Sequence, residues 1–97
     1  MQGYELTIVL DGKATAAKQK TVRETIEKIV KVFKGKIGTI EDGGEKPLAY
    51  KIGKSITGIF IHFPLELETA SVKGLMAKLK MEEGIIKYLL VRREIIE

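Results

Sequence analysis

Two patterns in the sequence, and the order in which they alternate, predict an α+β fold: a four-stranded antiparallel sheet with two helices on one face. Runs that alternate apolar and polar residues open the chain, fill its middle and close it. Two stripes of helical period fall between them. The resulting order is β-α-β-β-α-β, the split βαβ or ferredoxin-like arrangement.

The first strand is Tyr4 to Leu10, with Tyr4, Leu6, Ile8 and Leu10 on one side and Glu5, Thr7 and Val9 on the other. Asp11 and Gly12 end it. From Ala16 to Lys34, Val22, Ile26, Ile29, Val30 and Phe33 form one apolar stripe of an amphipathic helix, and Gly35 is the expected C-cap. Lys36 to Glu41 gives a short alternating strand, and Asp42-Gly43-Gly44 reads as a turn. Alternation resumes at Leu48, Tyr50 and Ile52, so this region is one long bent strand or two. After a turn from Gly53 to Gly58, Ile59 to Leu67 places Ile59, Ile61, Phe63, Leu65 and Leu67 on one face. Pro64 lies inside that run and needs a bulge or a position where no partner calls for its missing N–H. Val72, Leu75, Met76 and Leu79 define a second helix, with Thr69 or Ser71 as N-cap, and Ile85 to Glu94 is the last strand.

The 97 residues are read as one domain, expected to bury roughly 60–65% of its unfolded surface. An apolar fraction of 44% beside 31% charge excludes disorder. Without cysteine, disulfides, thiolate metal sites and cysteine nucleophiles are excluded. The N-terminal run is too short and too charged, with Glu5 inside it, for a signal peptide or membrane span. A cytoplasmic location is expected. A net charge of +4 suits a polyanionic partner.

Catalytic chemistry finds little support. His62 is the only histidine and belongs on the open face of the third strand, a poor start for a metal site. Glu82-Glu83 is read as a solvated turn. Gly53-Lys54-Ser55 repeats three letters of a phosphate-binding loop, but the earlier glycine is missing and a strand follows. Asp42-Gly43-Gly44 is likewise a turn, and Gly35-Lys36-Ile37-Gly38, also glycine-containing, covers the helix cap and the start of the short strand. No nucleophile, base and oxyanion site assemble, so no enzyme, cofactor, metal or small-molecule substrate is expected. Base stacking on the sheet is also disfavoured: the open face offers Phe60 and His62 on the third strand but no ring among Glu5, Thr7 and Val9. Contact with another protein accounts for Val9, Phe60, His62, Leu89 and Val91 on that face.

Tyr4-Glu5 before an apolar strand, Leu48-Ala49-Tyr50-Lys51-Ile52-Gly53-Lys54, Gly58-Ile59-Phe60, Glu66 and Tyr88-Leu89-Leu90-Val91 together resemble the bacterial ribosomal protein six family of the small subunit. The resemblance runs over essentially the whole chain. It implies a structural, non-enzymatic role: binding central-domain small-subunit ribosomal RNA together with ribosomal protein eighteen. It further implies RNA contacts at Lys46, Lys54, Lys80, Lys87 and Arg92, with Lys51 also able to face phosphate and Leu48, Tyr50 and Ile52 on the core side. Lys54, Lys80 and Lys87 are expected to converge on one edge. Lys18, Lys20, Lys28, Lys31 and Lys34, interleaved with Glu24 and Glu27, read as the solvated face of the first helix.

Some positions depart from the family pattern. Gln2-Gly3 stands where the family has a basic pair, Pro47 where it has a second basic residue, and Lys51 where it has proline. The family can carry an acidic or extended C-terminal tail; this sequence ends at Arg92-Arg93-Glu94-Ile95-Ile96-Glu97, and any function of such a tail is expected to be absent. The alternative reading is a free-standing ferredoxin-like module that binds a small ligand or self-associates through its open sheet face.

Overall fold

A computed structural model describes residues 2–52 and 55–93, and for residues 49–52 and 55 it describes the backbone alone. The elements are β1 (Gln2–Asp11), α1 (Ala16–Val32), β2 (Lys36–Ile37), β3 (Glu41–Ile52), β4 (Ser55–Leu67), α2 (Val72–Lys80, preceded by a 3₁₀ turn at Thr69–Ser71) and β5 (Ile85–Arg92). All pairing is antiparallel, in the order β2-β4-β1-β5 with β3 also on β4. β2 and β3 lie end to end along β4, so the second strand of the expected four is divided in two. The ferredoxin-like order is otherwise kept.

The alternation in β1 and β4 puts Leu6, Ile8, Leu10, Ile61, Phe63, Leu65 and Leu67 on one face, each at most 1% exposed. Val22, Ile26, Ile29 and Val30 of α1 and Leu75 and Leu79 of α2 pack on that face and close a single core cluster. At roughly 1.5–3 kcal/mol per fully buried large aliphatic or aromatic side chain, this face supplies most of the driving force for folding. Among the described residues no helix covers the opposite face of the sheet.

Local details explain the element ends. Thr15 caps α1, its Oγ1 accepting from the Lys18 N–H at 3.1 Å. At the other end the Lys34 N–H donates to Lys31 O and the Gly35 N–H to Val30 O, both at 2.9 Å, the two bonds of a Schellman cap. The left-handed residue is Lys34, at φ 59°, rather than the expected Gly35. Gly35 is needed for a different reason: a Cβ there would lie 2.7 Å from Glu66 O and closer still to Leu67. Ser71 occupies the N-cap position of α2 but makes no side-chain capping bond.

Asp42-Gly43-Gly44, expected as a turn, lies within β3 as a bulge, where the register against β4 shifts and Gly44 takes φ 75°. Asp42 holds it, accepting from the Gly44 N–H at 3.1 Å and from Arg23 of α1 at 2.7 Å. The expected turn from Gly53 to Gly58 is shorter, since Ile52 already pairs with Ser55 and β4 begins there. Pro64 pairs with Glu5 without a bulge, and its carbonyl accepts from the Gly38 N–H at 2.8 Å. In a strand a residue's nitrogen and carbonyl point to the same side, so the proline nitrogen faces the gap between β2 and β3, where no donor is required.

Candidate interaction surface

Cross-strand register defines the open face row by row. Residues paired across antiparallel strands share a face, so Lys87, Val9 and Phe60 form one row across β5, β1 and β4. Gly44 of β3 pairs with Phe60 and completes it, while Lys46, paired with Gly58 one row further on, reaches back so that its Nζ lies 5.7 Å from the centroid of the Phe60 ring. The next row is Leu89, Thr7, His62 and Glu41, and the one after is Val91, Glu5 and Pro64.

Val9, Phe60, His62, Leu89 and Val91 therefore lie on one face, but they are unequal as contacts. Leu89 is 57% and Val91 49% exposed, whereas Val9 is 4% exposed. Val9 is covered by its neighbours: the space above Gly58 is taken by Val9 Cγ1 and by Leu48 Cδ2. Gly58 faces away from the helices, because Ile59 beside it points into the core. Leu48 thus packs on the open face, not on the core side as expected. The side chains of Tyr50, Lys51 and Ile52 and the whole of Lys54 lie outside the described residues.

His62 and Thr7 share a hydrogen bond of 2.9 Å between Nδ1 and Oγ1. Beside them a notch of about 280 Å³ is lined by Glu5, Glu41, His62 and Pro64. The two ends of the face differ in sign: Lys46 and Lys87 flank an apolar row at one end, and Glu5 and Glu41 flank the notch. Phosphate is favoured at the first end and a cationic side chain at the second. Among the described residues no group of three or more His, Asp or Glu could hold a metal ion, and no helix is long and apolar enough to cross a membrane.

The candidate basic residues among those described are not gathered on one edge. Lys46 and Lys87 are exposed on the open face, near opposite edges of the sheet. Lys80 is exposed at the end of α2, in the helical layer on the other side of the sheet. Arg92 pairs with the inward-facing Tyr4, which puts it on the helix side of β5. The expected convergence of Lys80 and Lys87 is not found, because a loop and a change of layer separate them.

Sequence reasoning passed over Arg93. Its N–H donates to Gly3 O at 2.9 Å, its carbonyl accepts from Gln2 Nε2 at 3.0 Å, and its guanidinium lies across Gly3, 3.3 Å from where a Cβ would stand. Extending the alternation from Leu89 and Val91 by two residues would have put it on the open face.

An antiparallel sheet with helices on one face and an open, charge-patterned surface on the other defines a ferredoxin-like α+β domain. The family model described as Ribosomal protein S6 matches residues 3–92. The chain belongs to the ribosomal protein S6 family. It is 32% identical to small ribosomal subunit protein bS6 of Saccharopolyspora erythraea, over 96% of this chain and 79% of that protein. It is 30% identical to bS6 of Thermobifida fusca, over 98% of this chain and 99% of that protein. The fold is similar to the crystal structure of 30S ribosomal protein S6 from Thermotoga maritima, with a TM-score of 0.87 at 22% identity, covering 95% of this chain and 87% of that one. A more distant likeness of fold links it to the C-terminal domain of MgtC from Mycobacterium tuberculosis, with a TM-score of 0.64 at 16% identity, covering 97% and 89%.

Proposed function

We propose that this protein is a structural component of the small ribosomal subunit in the cytoplasm, binding central-domain ribosomal RNA together with ribosomal protein eighteen and catalysing no reaction. The observation that carries this reading is the open sheet face of a chain in the S6 family, with its row of Phe60, Val9 and Lys87, Lys46 set against the Phe60 ring, and exposed Leu89 and Val91 beside them. Leu89 and Val91 supply apolar contact for a protein partner, and the Glu5 and Glu41 notch accepts a cation from it. Lys46 and Lys87 meet phosphate at the other end, with Lys54, Lys80 and Arg92 as further phosphate ligands. Affinity then comes from counterion release and fit to RNA shape, with no bond made or broken.

The test is binding of the protein with ribosomal protein eighteen to a central-domain RNA fragment over a range of salt. Lys46→Ala, Lys80→Ala and Lys87→Ala each flatten the slope of log K against log salt by about 0.7–0.9 if each lysine neutralises one phosphate. Lys31→Ala, on the helical layer, leaves the slope unchanged. Equal slopes for all four variants would remove the phosphate role and leave the RNA contacts to the partner.

A further inference from the structure

The excess positive charge is not spread over the molecule. α1 and α2 hold eight of the 17 basic residues and two of the 13 acidic ones, leaving nine basic and eleven acidic on the rest of the chain. Arg23 is paired with Asp42, whereas the seven helix lysines are exposed and make no ion pair among the described residues. The helical layer is a cationic surface on an otherwise slightly acidic protein.

An apolar groove runs through this surface. Phe33, at the end of α1, lies over Gly74 near the start of α2, while Thr25 shares the groove with Met81 and Glu82 beyond the end of α2, so the helices run antiparallel. Between them is a depression of about 300 Å³ with Ile29 and Val32 on one wall, Met81 on the other and Lys28 and Lys78 at its rims. Val32 is 67% and Met81 81% exposed. Val32 and Met81 are two of the five large apolar side chains exposed among the described residues, and here they stand beside cations with no ion pair.

We infer that the α1–α2 groove is a docking site for an acidic amphipathic helix of a protein partner. A third helix laid between two antiparallel ones sets its apolar stripe against Ile29, Val32 and Met81, and its flanking carboxylates meet Lys28 and Lys78. Glu82 at one end disfavours a carboxylate there and so selects one direction for the incoming helix. RNA fits less well, since the phosphates would use the lysines but leave Val32 and Met81 uncovered. Among the described residues the one ring near the groove, Phe33, is packed against the core and offers no stacking platform. The groove lies on the face opposite the sheet, so both surfaces can be occupied at once.

The test uses a fluorescein-labelled synthetic peptide of about 15 residues, long enough to be helical, with leucines on one face and glutamates on the others. A scrambled peptide of the same composition and an oligouridylate of matching charge are compared by anisotropy against the full chain. The amphipathic peptide binds, and Met81→Glu and the double variant Lys28→Glu/Lys78→Glu each weaken it by about tenfold, or 1.4 kcal/mol. Both variants keep the wild-type melting temperature to within a few degrees, because the altered side chains are exposed. Lys46→Ala and Lys87→Ala, on the sheet face, leave the peptide affinity unchanged, which separates this site from the RNA reading. No binding, equal binding of the scrambled peptide, or binding by the oligouridylate alone that these variants abolish would overturn the assignment.

Discussion

Lys34 holds a left-handed backbone while Gly35, its neighbour, is kept small by β4. The strain at Lys34 is that of a Cβ crowding its own carbonyl, about 1–2 kcal/mol for a non-glycine residue. The constraint at Gly35 is steric and external, set by Glu66 O, Leu67 and Val30. The two substitutions therefore have opposite signs. Gly35→Ala is expected to lower stability by about 1–3 kcal/mol, because a methyl group has to displace backbone. Lys34→Gly is expected to raise it by up to about 1 kcal/mol, the relief of strain being partly offset by a freer unfolded chain. Urea melts of both variants check the pair, and loss of stability in both would show that the cap is held by more than its backbone angles. Glycine is the default left-handed residue in a helix-ending pattern, which is why the sequence pointed to Gly35. The close approach of β4 is a tertiary fact that no local pattern carries. Leu48 is the same kind of case: that it lies in a strand was legible, but which face it serves depends on the register of β3 against Gly58.

At the scale of elements, the strongly periodic segments were legible and the interrupted one was not. β1, α1, β4 and α2 follow their apolar stripes because each buries one face against the same core. The β2–β3 region failed where Asp42-Gly43-Gly44 met two compatible readings, since glycine with an acidic neighbour suits a turn and a bulge alike. The 13-residue length of β4 decided it, offering ladder partners on both sides of the bulge. The packing of α2 is the least redundant of these arrangements, because only Leu75 and Leu79 of that helix are fully buried. Leu75→Ala should cost about 2–5 kcal/mol, combining lost transfer energy with an unfilled cavity. Against a total of about 5–15 kcal/mol that is a large share, and a chemical melt showing less than 1 kcal/mol lost would mean α2 is not seated as described.

Over the whole molecule, the net charge of +4 conceals a partition that composition cannot report. The helical layer is strongly basic, and the open sheet face is divided between a cationic end at Lys46 and Lys87 and a carboxylate notch at Glu5 and Glu41. Reversing the notch with Glu41→Lys should weaken binding of the protein partner, mainly by slowing association, while leaving the melting temperature near that of the wild type. Unchanged association kinetics in a surface-binding assay would place the partner elsewhere. The candidate site was legible in part. Alternation placed Val9, Phe60, His62, Leu89 and Val91 on one face, but the burial of Val9 and the separation of Lys80 from Lys87 are products of layer packing. The central claim, that this chain works as part of the small ribosomal subunit, is tested most directly by sedimentation of the epitope-tagged protein in a lysate of its source organism. Co-migration with small-subunit particles, lost when the particles are dissociated, is the expected result; migration as a free protein or small oligomer, with none of it in the particle fractions, would contradict the account.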